Sequence, residues 1–229
     1  MRLLLLPVFI LLLSACSTAR APSAPNSLSF TPPREAAAVS LFSGDAAVLS
    51  DQDIDKILKY KYVPPHQTRI AVLALGQQFW MGYSDELARG GEEIRTAFTR
   101  QLQTSPVIVK AAYLPTLLIP EKRSVAYFRE AATRYQADAL VVYQSSCQTY
   151  QKYRMFSANA VKSFCSVEAA VLDVRTGIVP FTTTATQEFT TEEAPSDINT
   201  YEAMQKAEQR AIRQALLKVG EDVAGFFGR

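Results

Sequence analysis

Residues 137–177 read ADALVVYQSSCQTYQKYRMFSANAVKSFCSVEAAVLDVRTG. Two parts of this stretch, 137–153 and 158–174, carry Val, Tyr and Phe in the alternation of long β-strands, with a turn near Phe156. Counting outward from Phe156 sets Cys147 opposite Cys165, Ser145 opposite Val167 and Val141 opposite Val171. Strand side chains alternate between faces, so both cysteines share one face of the sheet. Next, "RTG" (175–177) turns the chain into "IVPFTTTATQEFT" (178–190), where Phe181, Ala185 and Phe189 alternate with threonines. Pro180 lacks a backbone N–H, so this third strand is expected at an edge or a bulge.

Working towards the amino terminus, "SVAYFREAATRYQ" places Val125, Phe128, Ala132 and Tyr135 at helical spacing, and "PVIVKAAYL" (106–114) is a strand candidate. "YSDELARGGEEIRTAFTRQL" predicts a helix capped by Ser84, with Leu87, Gly91, Ile94, Phe98 and Leu102 as its buried stripe. Gly90 and Gly91 each cost such a helix up to about 1 kcal/mol relative to Ala. They read as a tight helix–sheet contact or an early break, with close approach of a ligand as the alternative. "TRIAVLALG" (68–76) reads as a buried strand. "SDQDIDKILKY" predicts an opening helix capped by Ser50, with Asp51, Asp53 and Asp55 near its positive end and Ile54, Ile57 and Leu58 as its stripe. Pro64 and Pro65 end that element. Towards the carboxyl terminus, a helix over about 199–224 sets Tyr201, Met204, Ala211, Leu216, Val219 and Val223 against Glu, Lys, Gln and Arg.

The expected order is thus α-β-α-β-α-β-β-β-α, an α+β class of fold: a βαβαβ start, then antiparallel strands, in a mixed sheet with packed helices. "RIAVLALG", "ADALVVYQ" and "VEAAVLDVRTG", in this order, resemble the strands of CsgG-like and TolB-amino-terminal-like periplasmic domains over roughly residues 66–220. The resemblance implies a lipoprotein that is a subunit of a secretion channel or a regulator of envelope machinery. It brings no catalytic residue with it.

The first residues read as an address. Arg2 precedes an apolar run ending at Leu13, followed by Ser14, Ala15 and Cys16. About eleven apolar residues are too few to span a bilayer, which needs about twenty. Leu13-Ser14-Ala15-Cys16 resembles the lipobox of bacterial lipoproteins. The resemblance implies cleavage of residues 1–15, a diacylglycerol on the Cys16 thiol and an acyl chain such as palmitate on the new amino terminus. Ser17, rather than Asp, implies sorting to the outer membrane. An ordinary secretory signal with a chance cysteine is the other reading.

Residues 16–49, with Pro22, Pro25, Pro32 and Pro33, are expected to form a flexible tether spanning roughly 30 Å as a coil. The more apolar "SLFSGDAAVLS" (40–50) is expected to pack on the domain. Residues 50–229 then make one periplasmic domain. In that oxidising compartment Cys147 and Cys165 are expected to form a disulfide, with two reduced buried thiols as the alternative.

Charge is nearly balanced, with 24 basic and 22 acidic residues and no basic run, so nothing indicates nucleic acid. His66 is the only histidine, and any Ser–His–Asp or Cys–His arrangement would have to use it. No ligand-pair spacing supports a metal, and Gly76, Gly82, Gly90 and Gly91 form no phosphate cradle. Neither Glu92-Glu93 nor Glu192-Glu193 has a partner acid in sight. The expectation is a non-enzymatic, cofactor-free protein-binding or regulatory lipoprotein, anchored at the outer membrane and facing the periplasm, with an envelope protein as partner and oligomerisation open. The alternative is a CsgG-like subunit of an outer-membrane secretion or assembly complex.

The candidate partner-binding residues are Tyr150, Tyr153, Arg154 and Phe156 in "YQKYRMF" (150–156). Tyr, Phe, Met and Arg are the side chains that interfaces favour. The alternative has these aromatics packing on the domain's own helices, since strand aromatics commonly serve the fold.

Overall fold

The computed structural model describes residues 40–41, 49–76, 84–197 and 199–228. The leader, Cys16 and nearly all of the expected tether lie outside the described residues, as does Gly82. Within them the elements run α1 (Asp51–Lys59), β1 (Thr68–Leu75), α2 (Asp85–Leu102), β2 (Ile108–Tyr113), a 3-10 turn (Thr116–Leu118), α3 (Val125–Arg134), β3 (Ala139–Lys152), β4 (Ala160–Asp173), β5 (Phe181–Glu192) and α4 (Thr200–Phe227). The strands form one mixed sheet in the order β2-β1-β3-β4-β5, open rather than closed into a barrel. β1 is parallel to both β2 and β3, and β3, β4 and β5 follow as antiparallel neighbours. The expected element order and mixed α+β class are those observed.

Parallel neighbours need crossovers, and crossovers are right-handed. The chain leaves β1 to one side through α2 and returns to the other side through α3, so the two helices cover opposite faces. The burial pattern follows. Ile70, Val72, Val141 and Tyr143 join Phe98 of α2 and Leu216 and Val219 of α4 in one core. Ala71, Leu73, Leu140 and Val142 join Phe128 and Ala132 of α3 in the other. This is why "IAVLAL" (70–75) reads as an unbroken apolar run, being covered on both faces. β5, covered on one face only, alternates instead. Leu41 packs against the α3-side core, in keeping with the apolar reading of residues 40–50.

Short polar side chains start each helix. Ser50, Ser84, Ser124 and Asn199 accept hydrogen bonds from the backbone N–H groups of Asp53, Leu87, Tyr127 and Glu202. Asp173 sets the β4–β5 turn by accepting from Thr176 N–H at 2.9 Å, and Gly177 supplies the left-handed residue with φ of 79°. Arg129 of α3 clasps this turn by donating from Nε to Val174 O at 2.8 Å and from Nη2 to Arg175 O.

Three sequence readings are corrected. The stripe Ile54, Ile57 and Leu58 exists, but no residue of α1 is buried and all three are exposed. α2 runs unbroken through Gly90 and Gly91, and the close approach at Gly90 is to α4 rather than to the sheet. A Cβ at position 90 would lie 2.6 Å from Gln209 Oε1, while Gln209 Nε2 donates to Leu87 O at 2.8 Å. Tyr201, placed on the apolar face of the last helix, is exposed. Pro180 sits directly before β5, which is an edge strand as its imide nitrogen suggested.

Candidate interaction site at the hairpin end

β1 pairs with β3 only as far as Gln144, so beyond that residue β4 is the only described strand beside β3. The register matches the count from Phe156: Cys147 lies opposite Cys165, Ser145 opposite Val167 and Val141 opposite Val171. Cys147 and Cys165 are joined as a disulfide with Cα atoms 4.2 Å apart. Their sulfurs face α4, where Cys165 is buried. The bond thus braces the base of the projecting hairpin.

Outward from the disulfide on the same face, Thr149 lies opposite Ser163, with hydroxyls 3.0 Å apart. Thr149 Oγ1 also donates to Glu208 Oε1 of α4 at 2.5 Å. Burial pushes the Glu208 carboxyl above the ordinary carboxylate range, and the Thr149 hydrogen bond offsets only part of that. An acid whose pKa rises on folding adds stability as pH falls and loses it as pH climbs through the folded-state value. Glu208→Gln is therefore expected to raise stability at neutral pH, with its advantage over wild type shrinking as pH falls through the raised folded-state value and gone below the unfolded carboxylate pKa of about 4.3. Urea unfolding at pH 7 and pH 4 reads this directly; a variant less stable than wild type at pH 7 contradicts it.

Among the described residues, no helix lies over the opposite face of this hairpin. Tyr150 lies there with its ring edge-on to Phe164, centroids 6.0 Å apart. Lys162 sits 4.7 Å from the Phe164 centroid and pairs with Glu188 at 2.9 Å. At the end of the hairpin Arg154 reaches back to Glu192 at 2.6 Å, and its backbone N–H donates to Asn159 Oδ1. Asn159 in turn donates to Glu193. These contacts tie the turn to the end of β5 and leave its large side chains outside. Tyr153 is 68% exposed, Met155 92% and Phe156 97%. The alternative reading, in which Tyr150, Tyr153 and Phe156 pack on the domain's own helices, does not describe them. Phe164, Asn159 and Glu192 went unread as neighbours of this site, although the register from Phe156 already sets Phe164 diagonal to Tyr150.

No catalytic constellation appears among the described residues. His66 is exposed. Glu92 pairs with Arg95, and Glu193 accepts from Asn159 and Thr200. No group of metal-ligating side chains comes together among the described residues. One open cleft of about 530 Å³ lies beside the start of β1, between Arg69, Arg129, Asp138 and Arg175. Burial raises the Asp138 carboxyl, but hydrogen bonds from the Arg69 side chain and backbone outweigh it and hold the pKa below the usual value. That carboxylate is engaged as a structural partner of Arg69. No described helix is long and apolar enough to cross a membrane.

No known family model matches this sequence, and no curated protein matches it. Similarity is found among solved structures. A candidate lipoprotein from Caulobacter crescentus CB15 is 15% identical, with a TM-score of 0.38 over 69% of this chain and 88% of that one. The PelC dodecamer from Paraburkholderia phytofirmans is 11% identical, with a TM-score of 0.36 over 69% of this chain and 89% of that one. Lipoprotein GNA1162 from Neisseria meningitidis is 11% identical, with a TM-score of 0.32 over 64% of this chain and 96% of that one. At these identities and scores the likeness assigns neither family nor function, and the functional reading rests on this chain's own residues.

Proposed function

We propose that this chain is an envelope lipoprotein, anchored at the outer membrane through lipid on Cys16 and facing the periplasm, whose domain is a non-enzymatic protein-binding or regulatory module. Its docking surface is the hairpin end, with Tyr150, Tyr153, Arg154 and Phe156 as contact residues. One observation carries the reading: Met155 and Phe156 stand almost fully in solvent, and Tyr153 largely so, at the end of a hairpin braced by a disulfide. A turn whose backbone is already tied by the disulfide and the Asn159 and Glu192 contacts loses little freedom on binding, which favours affinity. The partner is an envelope protein with a matching apolar pocket.

Tyr153→Ala combined with Phe156→Ala tests the surface. Because both side chains are exposed, unfolding stability is expected to stay within about 1 kcal/mol of wild type, while cross-links to the partner in intact envelopes disappear. A double variant that keeps its cross-links removes the hairpin end from the interface.

The anchor is tested separately. Mass spectrometry of the mature protein is expected to find acyl chains on Cys16, and Cys16→Ala is expected to leave an unacylated precursor. Several acyl chains, at about 0.8 kcal/mol per buried methylene, hold a protein stably where a single chain does not. An unmodified Cys16 in mature wild-type protein overturns the anchor. Against the CsgG-like subunit stand Lys152 and Arg154, which interrupt the alternating apolar face that a membrane-spanning hairpin needs over roughly nine to eleven residues.

A further inference from the structure

The two edges of the sheet are treated differently. β2 is short, carries Lys110 and is bounded by Pro106 and Pro115, the features that discourage strand pairing. β5 has twelve residues, six of them threonine, with no Pro, Lys or Arg within it. It pairs with β4 in unbroken register along its whole length, with no bulge to twist it away. Among the described residues no strand lies beyond it.

The hydrogen-bonding parity of that edge follows from the ladder. Glu193 N–H donates to Asn159 O at 2.8 Å in the β4–β5 register. Odd-numbered residues of β5 therefore bond to β4. The N–H and C=O groups of Thr182, Thr184, Thr186, Glu188 and Thr190 point outward from the sheet.

We propose that β5 is a pairing edge for a second copy of this chain, joined antiparallel about a two-fold axis at Thr186. This register uses almost the full strand. It sets Thr186 opposite its own counterpart, Thr184 opposite Glu188 and Thr182 opposite Thr190, all of them residues whose backbone groups point outward. No two like charges face each other. A register centred on Glu188 would oppose two carboxylates, and one centred on Thr184 would pair only residues 181–187 before Pro180, which has no N–H, falls opposite Glu188; centred on Thr186, Pro180 is reached only at the end of the strand, opposite Glu192.

α4 is complementary under the same axis. Arg210 lies over Phe189 at 5.2 Å from the ring centroid, and Asp222 accepts from Thr183 at 2.8 Å. The register sets position 189 opposite position 183, so Arg210 of one copy meets Asp222 of the other. Arg210 has no carboxylate partner within its own chain among the described residues, while Asp222 is already approached by Lys218 at 3.3 Å, so the pairing supplies a partner to Arg210 rather than joining two free charges. α4 packs over both β4 and β5, which puts the two copies of the helix about two strand spacings apart, roughly 10 Å, the distance at which helices pack. The hairpin ends then point in opposite directions, and both stay free.

The test uses full-length protein extracted from membranes in mild detergent, with mass measured by light scattering corrected for detergent. Wild type is expected at the mass of two chains. Thr186→Cys is expected to give an interchain disulfide under mild oxidation, while Thr190→Cys, which faces position 182 rather than itself, is expected to give none. Thr184→Pro removes an outward N–H that β4 does not use, and Thr186→Lys places like charges at the axis. Both are expected at the mass of one chain, with the wild-type circular dichroism spectrum. If Thr184→Pro fails to fold, Thr186→Lys alone decides, since its side chain lies on the open face. A wild-type mass of one chain, a Thr186→Lys protein that still has the mass of two, or equal cross-linking at positions 186 and 190 overturns the proposal.

Discussion

Phe98→Ala is expected to lose about 3–5 kcal/mol of stability, read as a lower urea midpoint at unchanged slope. Phe98 is fully buried at the junction of α2, α4 and the sheet. Its ring meets Tyr143 edge-on at 5.7 Å and lies 6.5 Å from Tyr113, while those two tyrosines share a hydroxyl contact of 3.1 Å. A Cβ on Gly220 would fall 3.3 Å from the same ring, so α4 rides on Phe98 with no space to spare. Removing the ring leaves a void that two hydrogen-bonded tyrosines and a helix backbone cannot close cheaply. Interiors are close-packed and relax only in part. A loss below about 1 kcal/mol would mean that α4 settles onto the vacated site, and this account of the core would be wrong.

Removing the disulfide by Cys147→Ala with Cys165→Ala is expected to cost about 3 kcal/mol in the chain-entropy account, for a sequence separation of 18. The cost includes packing, because Cys165 is fully buried against α4. Wild type unfolded with reductant is expected to show a similar loss, and non-reduced peptide maps of protein taken from the envelope are expected to recover the two cysteines linked. Freely alkylated cysteines in that protein, or a double variant as stable as wild type, would contradict it. The hairpin end beyond residue 150 is expected to gain hydrogen-exchange rate in the variant more than β1 does, since β1 is held by strands on both sides.

Much of this fold is legible residue by residue. The stripe Leu87, Gly91, Ile94, Phe98 and Leu102 is wholly buried, because helical period and burial coincide when a helix has a core beneath it. The register of β3 on β4 follows from one turn position, since a slip by one residue would turn Val141, Val167 and Val171 to the wrong face. The candidate site was legible in composition but not in placement. "YQKYRMF" names side chains suited to an interface, yet the same letters suit a core.

Periodicity states which side chains can be buried together; it does not state whether any surface waits to bury them. Ile54, Ile57 and Leu58 make an apolar stripe on α1 as regular as that of α2, yet among the described residues none of the three is buried. Tyr153 and Phe156 stand in solvent because β3 and β4 continue past β1, and α3 covers only the half of the sheet that β1 shares. The closeness of Gly90 to Gln209 joins residues far apart in sequence, and no local pattern announces it. The order of the elements, the caps at Ser50 and Ser84 and the facing of Cys147 and Cys165 across the hairpin could be read along the chain, because these depend on near neighbours or on a single turn. Which faces and edges stay uncovered emerges only when the chain is folded, because that depends on where the crossovers leave each helix.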